Sequence, residues 1–484
     1  MNISMILDMA VSAEAEATEP GPRPVITVGD RSMSAQELRA YARRLADRVR
    51  DRPAVLYLGS SHLAYPVALF GAALAGVPFV PLNYRLGEQQ LAALLDKHPG
   101  ALVLRQEDLD ALVEGELPAE QDEFDAPWDE NAVAAIIYTS GTTSEPKAAL
   151  LRHRHLMAYL FNTMEFGGSE PGHASLVSVP PYHIAGLTNL LSNLYSGRRV
   201  VYLPAFDAER WLATVREEKI THAMLVPTML ARIVGAVDGD DAATPGLASL
   251  AYGGSRTPRP VLERALKVFP DTGFVNAYGL TETASSVAVL GPEDHREAFA
   301  SQDPAVRDRL GSVGRALPGI EVEIRSETGD PVPAGESGLV FVRGEQISGE
   351  YGGRSALDAE GWFPTRDLGR LDVEGYLFIE GRADDTIIRG GENIAPVEIE
   401  DVLLDHPGIR EAAVIGVPDP EWGQRLVAVL VGQGDPEEIK GWVRSRLRSS
   451  KTPDTIVFRA ELPKTETGKL VRRTLVAELE NTHA

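Results

Sequence analysis

The sequence predicts an α/β protein with a large N-terminal domain and a small C-terminal one. From Ile26 onward, short apolar runs alternate with helical patterns, as in the strand-like 53–61 and the helix-like 62–77. After Gly311, polar and apolar residues alternate around Gly/Pro turns, which is typical of antiparallel strands in a barrel or small sheet. Residues 381–484 again form a compact α/β pattern of the size of a separate small domain.

Composition excludes several classes of protein. The 484 residues carry a formal net charge of −23 and contain no cysteine. This acidic balance argues against a nucleic-acid partner, which requires a basic face. Without cysteine there are no disulfides, thiolate metal sites or cysteine nucleophiles.

The N-terminal stretch and the lengths of the apolar runs indicate the cellular location of the protein. No run approaches the roughly 20 apolar residues that span a bilayer. The N-terminal stretch MNISMILDMAVSAEA has no leading Lys or Arg, and Asp8 interrupts it. We therefore expect an amphipathic first helix rather than a signal peptide, and a cytoplasmic protein with no membrane partner.

The stretch YTSGTTSEPKAAL, residues 138–150, follows an apolar run that predicts a buried strand. Backbone N–H groups in a Gly/Ser/Thr loop can form an anion cradle, and Lys147 would add a point charge for phosphate oxygens. The Walker pattern is absent, because no second glycine precedes Lys147 and no Ser or Thr follows it. The stretch is therefore either a different phosphate loop or a turn between strands.

A second stretch, NAYGLTETAS at 276–285, ends a strand predicted over 272–277. Ligands bind at the carboxyl end of strands in an open parallel sheet. Tyr278 could stack on a base, Thr281 could donate to a phosphate and Glu282 could bind Mg²⁺, which prefers oxygen ligands. The alternative is a capped turn at the start of a helix.

Four more residues are candidates for a site. Asp367 and Arg382 could hold a ribose, or could form a loop salt bridge with each other. Lys469 follows a Thr/Gly turn and is, taken alone, more typical of a solvated surface. His183 is more typical of a structural residue or a pocket wall than of a general base, since no carboxylate lies nearby in sequence.

Together these stretches resemble the adenylate-forming superfamily of acyl- and aryl-CoA synthetases, adenylation domains and firefly luciferase. Six signatures match in order: YTSGTTSEPK (138–147), NAYGLTETAS (276–285), GSVGRALPGIEVEI (311–324), GWFPTRDLGRLDVEGYLFIEGR (361–382), IIRGGENIAPVEIE (387–400) and LPKTETGK (462–469). The pattern is most similar to bacterial acyl- or aryl-CoA ligases.

This resemblance implies an architecture. The N-terminal domain, residues 1–381, would contain two α/β sheets and a distorted β-barrel. Residues 382–484 would form a small mobile domain, here called the lid, with its hinge at Asp384.

The resemblance also implies a reaction. A carboxylic acid and ATP, with Mg²⁺, would give an acyl-adenylate and pyrophosphate, and coenzyme A would then accept the acyl group. Two alternatives stay open. The enzyme could pass the adenylate to a separate carrier protein or ligase, or the chain could be a non-catalytic nucleotide-binding protein.

The resemblance also implies which residues of this sequence would have the catalytic and binding roles of the superfamily. Lys469, Thr281 and Glu282 would be catalytic, Glu282 would bind Mg²⁺, and Gly390 and Gly391 would line the coenzyme A tunnel. The nucleotide would be bound by Thr139, Ser140, Gly141, Thr142, Thr143, Lys147, Gly254, Ser255, Asn276, Ala277, Tyr278, Gly279, Thr281, Asp367, Ile379 and Arg382. The acid pocket would be lined by Tyr182, His183, Ala185, Gly186, Gly253, Gly254, Gly279 and Leu280.

The small residues of this pocket leave room for a bulky, ring-containing or medium-size acid. Four positions depart from the superfamily pattern. Ser144 and Ala148 replace glycines of the phosphate loop, Arg366 replaces a glycine before Asp367, and Arg256 replaces a common proline beside the adenylate. A long cation at position 366 could contact phosphate, or it could crowd the conformation that forms the thioester.

Overall fold

The computed structural model of the protein describes residues 1–15, 23–117, 129–139, 146–419, 421–465 and 468–480. Within these ranges, no helix combines the length and the apolar character needed to cross a membrane. The predicted first helix forms at Ser4–Ala15, with Ile6, Leu7 and Val11 buried.

The helices are α1 (Ser4–Ala15), α2 (Ala35–Val49), α3 (Ala64–Ala75), α4 (Glu88–Leu95), α5 (Leu109–Leu112), α6 (His153–Thr163), α7 (Ile184–Ser196), α8 (Ala208–Glu217), α9 (Pro227–Ala236), α10 (Arg259–Val268), α11 (Pro292–Ala300), α12 (Pro304–Asp308), α13 (Pro396–Leu404), α14 (Pro436–Arg444) and α15 (Arg472–Glu480). The first strands are β1 (Pro24–Val28), β2 (Arg31–Ser34), β3 (Val55–Leu58), β4 (Phe79–Pro81), β5 (Leu102–Arg105), β6 (Val133–Thr139), β7 (Lys147–Arg152), β8 (Ala174–Val177), β9 (Arg199–Tyr202), β10 (His222–Leu225), β11 (Ser249–Gly253), β12 (Gly273–Leu280) and β13 (Ser285–Leu290). The remaining strands are β14 (Arg315–Ala316), β15 (Glu321–Arg325), β16 (Gly338–Arg343), β17 (Glu350–Tyr351), β18 (Arg354–Ser355), β19 (Phe363–Leu371), β20 (Leu377–Arg382), β21 (Ile387–Arg389), β22 (Glu392–Ile394), β23 (Ile409–Asp419), β24 (Gly423–Gly432) and β25 (Thr455–Phe458).

Two large sheets form the N-terminal part of the described chain. One has nine strands in the order β14-β13-β12-β11-β10-β8-β9-β1-β2, and the other has seven in the order β18-β17-β7-β6-β4-β3-β5. Their central strands are parallel and mostly apolar, as in β3 and β8, where every residue is buried. Strands covered on both faces have this composition, so the predicted α/β class is confirmed.

Helix α3 joins the two sheets. It is buried on all sides, since every residue from Ala64 to Leu74 is buried. The Tyr65 ring lies 5.2 Å from the ring of Tyr57 in one sheet and 6.4 Å from that of Tyr202 in the other. One continuous apolar core therefore fixes how the two sheets meet.

The strands predicted for a barrel or small sheet form an antiparallel sheet of order β15-β16-β19-β20. Its core contains Val340, Val342 and Phe363, and Tyr278 and Leu280 from the end of β12 pack against it. The end of β12 thus lies where the large parallel sheet meets this smaller one.

The lid contains the sheet β23-β24-β25 and the hairpin β21-β22. Side chains on alternate sides of β23 and β24 belong to two apolar clusters, one shared with α13 and α14 and the other with α15. The chain reaches the lid through β20, which ends at Arg382, and the 3-10 turn Ala383–Asp385, which contains the predicted hinge residue Asp384. The predicted boundary between 381 and 382 stays a prediction.

Candidate active site

The candidate site lies at the carboxyl end of β12. This strand continues to Leu280, beyond its predicted end at Ala277, because β13 pairs with it antiparallel. A 3-10 turn, Thr281–Thr283, follows where a helix cap was the alternative. A Cβ atom on Gly279 would lie 1.9 Å from the Ser285 carbonyl oxygen, so only glycine fits at this step of the pair.

Three predicted nucleotide-binding residues meet beside this turn. Asp367 and Arg382 are directly opposite in the β19–β20 pair, and the guanidinium donates to Asp367 Oδ1 at 2.8 Å. The Tyr278 hydroxyl donates to Asp367 Oδ2 at 2.6 Å. Burial, and then the Asp367 carboxylate, raise the pKa of the Tyr278 phenol, which keeps it a donor. Asp367 is only 4% exposed, so its two partners satisfy a buried charge.

A second cluster surrounds Glu282, which is buried. The Tyr351 hydroxyl donates to Glu282 Oε1, and the Glu282 carbonyl accepts from the backbone N–H groups of Ser348 at 2.9 Å and Gly349 at 3.1 Å. The Lys147 ammonium lies 5.7 Å from the centre of the Tyr351 ring. Sequence reasoning missed Tyr351, which no local motif marks.

Tyr351 reaches this position through a sheet contact. Strand β17 pairs with β7 by opposing Tyr351 to Ala149, which adds it to the sheet that carries Lys147. Lys147 in turn opposes Thr139 across the β6–β7 pair. The predicted phosphate-loop residues Ser140, Gly141, Thr142 and Thr143 lie outside the described residues.

The donor set around Glu282 fits magnesium. Within the described ranges, no cluster of three or more His, Cys, Asp or Glu side chains could hold a metal ion. Magnesium is commonly held by one or two carboxylates together with substrate phosphates and water. Glu282 is therefore a suitable protein ligand for a magnesium ion that arrives with a nucleotide.

Lys469 belongs to the lid and yet faces this site. Its backbone N–H donates to Thr465 Oγ1 at 3.1 Å, and Gly468 beside it adopts φ +78°. Burial and the Arg382 guanidinium lower the pKa of Lys469, although the residue keeps solvent exposure. The carboxylates of Asp367, Asp385 and Glu282 act in the opposite direction. The lid thus brings Lys469 into the electrostatic field of both clusters.

Gly468 makes this approach possible. A Cβ atom on Gly468 would lie 2.1 Å from Thr228 Cγ2, next to the start of α9. The segment before Lys469 therefore packs directly on the large domain.

The predicted acid-pocket residues lie at the ends of neighbouring elements. The rings of Tyr182 and His183 are 4.6 Å apart at the start of α7, followed by Ala185 and Gly186. A Cβ atom on Gly186 would meet the Pro180 carbonyl oxygen at 2.8 Å. Gly253 ends β11, followed by Gly254 and Ser255, while Ala277, Gly279 and Leu280 belong to the paired end of β12.

The remaining predicted site residues lie in β12, in β20 and in the β21–β22 hairpin. Asn276 donates to the Ser312 carbonyl oxygen at 3.0 Å, and Ile379 lies in β20 opposite Gly369. Gly390 and Gly391 form the turn of the β21–β22 hairpin, where the Gly390 N–H donates to the Trp422 carbonyl oxygen at 2.8 Å within the lid.

A cavity of about 330 Å³ lies between the lid and the large domain. Loops that follow β3, β4, β8 and β9, the start of α9, and the lid segment around Gly468 line it. The described residues that line it include the cations Arg85, Arg232 and Lys464 and no carboxylate, although Lys464 pairs with Glu411 at 2.7 Å. The buried Ser178 hydroxyl, also in the lining, makes no hydrogen bond among the described residues.

The family model for AMP-binding enzymes matches residues 13–351, and that for the C-terminal domain of AMP-binding enzymes matches residues 398–469. A feruloyl-CoA synthase of Amycolatopsis sp is 35% identical over 92% of this chain and 93% of its own length. The fatty acid–[acyl-carrier-protein] ligase ScoC of Streptomyces coeruleorubidus is 31% identical over 93% and 92%.

Solved structures agree with these relatives. The o-succinylbenzoate CoA synthetase MenE of Bacillus subtilis, in complex with the acyl-adenylate OSB-AMP, has a TM-score of 0.83 at 28% identity, covering 98% of this chain and 97% of that one. The same enzyme with ATP and magnesium has a TM-score of 0.80 at 28% identity, covering 98% and 99%. The predicted superfamily and enzyme class are confirmed, and the predicted ligands ATP, Mg²⁺ and coenzyme A are those named for these relatives. The chain belongs to the AMP-binding enzyme family.

Proposed function

We propose that the protein activates a ring-containing carboxylic acid as its acyl-adenylate and then transfers the acyl group to coenzyme A. The observation that carries this proposal is the position of Lys469, in a field shared by Asp367, Arg382 and Glu282. A lysine under the electrostatic influence of both a ribose-type cluster and a metal-type carboxylate suits attack of a carboxylate on the α-phosphate of ATP. The ring-containing acid is inferred from relatives that act on feruloyl and succinylbenzoyl groups.

In the first half-reaction, an oxygen of the acid bonds to the α-phosphorus, and the bond to pyrophosphate breaks. Asp367 and Arg382 would hold the ribose, with Tyr278 beside the adenine. Lys469 would stabilise the negative charge that develops between the carboxylate and the α-phosphate, as fixed cations in a partly dry site do. Magnesium, when bound at Glu282, neutralises phosphate charge as a Lewis acid.

In the second half-reaction, a thiol attacks the acyl carbonyl and AMP leaves. We propose that the lid, residues 382–484, turns about Asp384 between the two steps, since Lys469 is needed only in the first. The cavity lined by Arg85 and Arg232 supports a phosphate-bearing acceptor such as coenzyme A. An acyl carrier protein is the second candidate acceptor, because ScoC uses one.

The test combines an acid panel with two acceptors. Purified protein receives ATP, Mg²⁺ and hydroxycinnamic, benzoic, succinylbenzoic or straight-chain acids, and pyrophosphate release and acyl-adenylate are measured. Coenzyme A or a carrier protein bearing phosphopantetheine is then added, and thioester is measured by mass spectrometry. We expect ring-containing acids and coenzyme A to give the highest kcat/KM. A preference for straight-chain acids would contradict the substrate class, and pyrophosphate release that no acid stimulates would contradict the enzyme.

Tyr351→Phe tests the magnesium site. The variant keeps the ring beside Lys147 but removes the hydrogen bond to Glu282. A hydrogen bond to a charged group is worth about 1.5–3 kcal/mol, so we expect the Mg²⁺ concentration at half-maximal nucleotide binding to rise about tenfold. Calorimetry with ATP at varied Mg²⁺ measures this without turnover.

Tyr376→Phe is the matched control, since it removes a phenol that donates to Asp294 at 2.6 Å in a different part of the domain. It should leave the dependence on Mg²⁺ unchanged. Unchanged or tighter Mg²⁺ dependence in Tyr351→Phe would show that Tyr351 does not position Glu282.

A further inference from the structure

An ion pair joins the two domains beside the candidate site. Arg256 Nη2 lies 2.6 Å from Oδ2 of Asp401. Arg256 follows β11 by three positions and comes directly after the predicted nucleotide-binding residues Gly254 and Ser255, whereas Asp401 lies in α13 of the lid. Among the ion pairs of the described residues, this is the one that links the large domain to the lid apart from those of Arg382 and Asp384 at the hinge.

The surroundings of Asp401 make its partner important. Burial raises the pKa of Asp401 to about 6, the Arg256 guanidinium opposes this rise, and the neighbouring Glu400 and Asp405 add to it. The Arg256 and Asp401 side chains are 46% and 42% exposed, so the pair is only partly desolvated, and Asp401 lies among like charges with Arg256 as its compensating cation. Removing Arg256 leaves this carboxylate without that cation, at a cost between those of breaking an exposed and a buried ion pair.

Helix α13, which carries Asp401, is packed into the core of the lid. Ile399 and Leu403, on the same helix, are fully buried in the lid core with residues of β23, β24 and α14. The lid contacts the large domain at further points: Gly468, directly before Lys469, packs against Thr228, and the Asn393 side-chain amide donates to Glu327 Oε1 at 3.0 Å. Separated contacts together with the hinge determine the orientation of a rigid body, and the loss of one of them loosens that orientation.

We propose that Arg256 is a positioning residue, which acts through Asp401 to hold the lid in the orientation that presents Lys469 to the α-phosphate. The inference rests on the proposed two-step function. Arg256 belongs to the large domain and Asp401 to the lid, so rotation about the hinge separates them. The pair should therefore favour adenylate formation and should be dispensable for thioester formation.

The first measurement compares the half-reactions. In Arg256→Gln we expect acid-dependent exchange of pyrophosphate into ATP to fall about tenfold, between the effects of breaking exposed and buried ion pairs. Thioester formation from synthetic acyl-adenylate and coenzyme A should stay within twofold of the wild type or rise. Equal losses in the two half-reactions, or no loss in either, would overturn the proposal.

Rescue and a matched variant separate positioning from general damage. Arg256→Asp combined with Asp401→Arg restores an ion pair in the reverse orientation, so pyrophosphate exchange should recover to within about threefold of the wild type. Arg259→Gln is the control, because Arg259 has a similar exposure, 41% against 46%, and pairs with Glu263 and Asp308 inside the large domain. It should leave the ratio of the half-reactions unchanged. A double variant that recovers nothing would overturn the proposal.

A second measurement needs no turnover. Because the chain has no cysteine, spin labels can be attached through Val373→Cys on the large domain and Glu437→Cys on the lid, whose side chains are highly exposed. Electron–electron double resonance should give one main distance in the wild type, a broader or shifted distribution in Arg256→Gln, and a return in the double variant. An unchanged distribution in Arg256→Gln would overturn the role of Arg256 in lid position. Failure of the proposed function would instead appear as a wild type without acid-dependent exchange.

Discussion

Lys469→Ala should reduce acyl-adenylate formation about 10²–10³-fold while sparing thioester formation from preformed adenylate. This range is typical for the loss of one fixed group that stabilises developing charge. Lys469 is a lid residue whose ammonium is influenced by Glu282, Asp367 and Arg382. Its removal should therefore affect the step in which, as we propose, those groups surround the α-phosphate. Pyrophosphate exchange and single-turnover thioester formation, measured separately, give the two rates.

Lys440→Ala is the control for this variant. Lys440 belongs to the same lid but pairs with Glu437 at 2.8 Å on the surface of α14. It should change neither rate by more than about twofold, as expected for a surface ion pair. A Lys469→Ala protein with full exchange activity, or with equal losses in both steps, would contradict the assignment.

Glu282→Gln should lower adenylate formation about 10²-fold and raise the requirement for Mg²⁺. The amide keeps an oxygen that can accept from Tyr351, so the local fold should persist while the negative charge is lost. The lost term is the attraction between the carboxylate and the metal ion that shields the triphosphate, which is worth several kcal/mol in such sites. Exchange rates over a range of Mg²⁺ concentrations, together with ATP binding by calorimetry, measure both effects.

Glu350→Gln tests whether the loss of a neighbouring carboxylate has the same effect on Mg²⁺ dependence as the loss of Glu282. Glu350 is adjacent to Tyr351 but pairs with Arg152 at 2.8 Å, with both side chains largely buried. We expect this variant to lower the melting temperature, because it leaves the Arg152 charge poorly compensated, and to leave the Mg²⁺ dependence unchanged. If both variants shifted Mg²⁺ dependence alike, a general loss of negative charge would explain the result, and Glu282 would not be the ligand.

The sequence by itself determined the α/β class and most of the local elements. Mostly apolar runs of four buried residues, as in β3 and β8, predict central strands because both faces of such strands are covered. Pro396 predicts the start of α13, since a missing N–H costs nothing at the first helical position. The same local chemistry made Asp367, Arg382 and Glu282 candidates, whereas the role of Lys469 was implied only by the resemblance to adenylate-forming enzymes.

Only the tertiary structure decided which of these residues meet. Tyr351 contacts Glu282 and Lys147 because β17 adds to the sheet of β7, a pairing that no local pattern reports. Arg256 contacts Asp401 only because the lid packs against the large domain. The hydrophobic period of a segment indicates which of its faces is buried, but not which distant segment covers that face. That choice depends on sheet order and domain docking, which are properties of the whole packed chain.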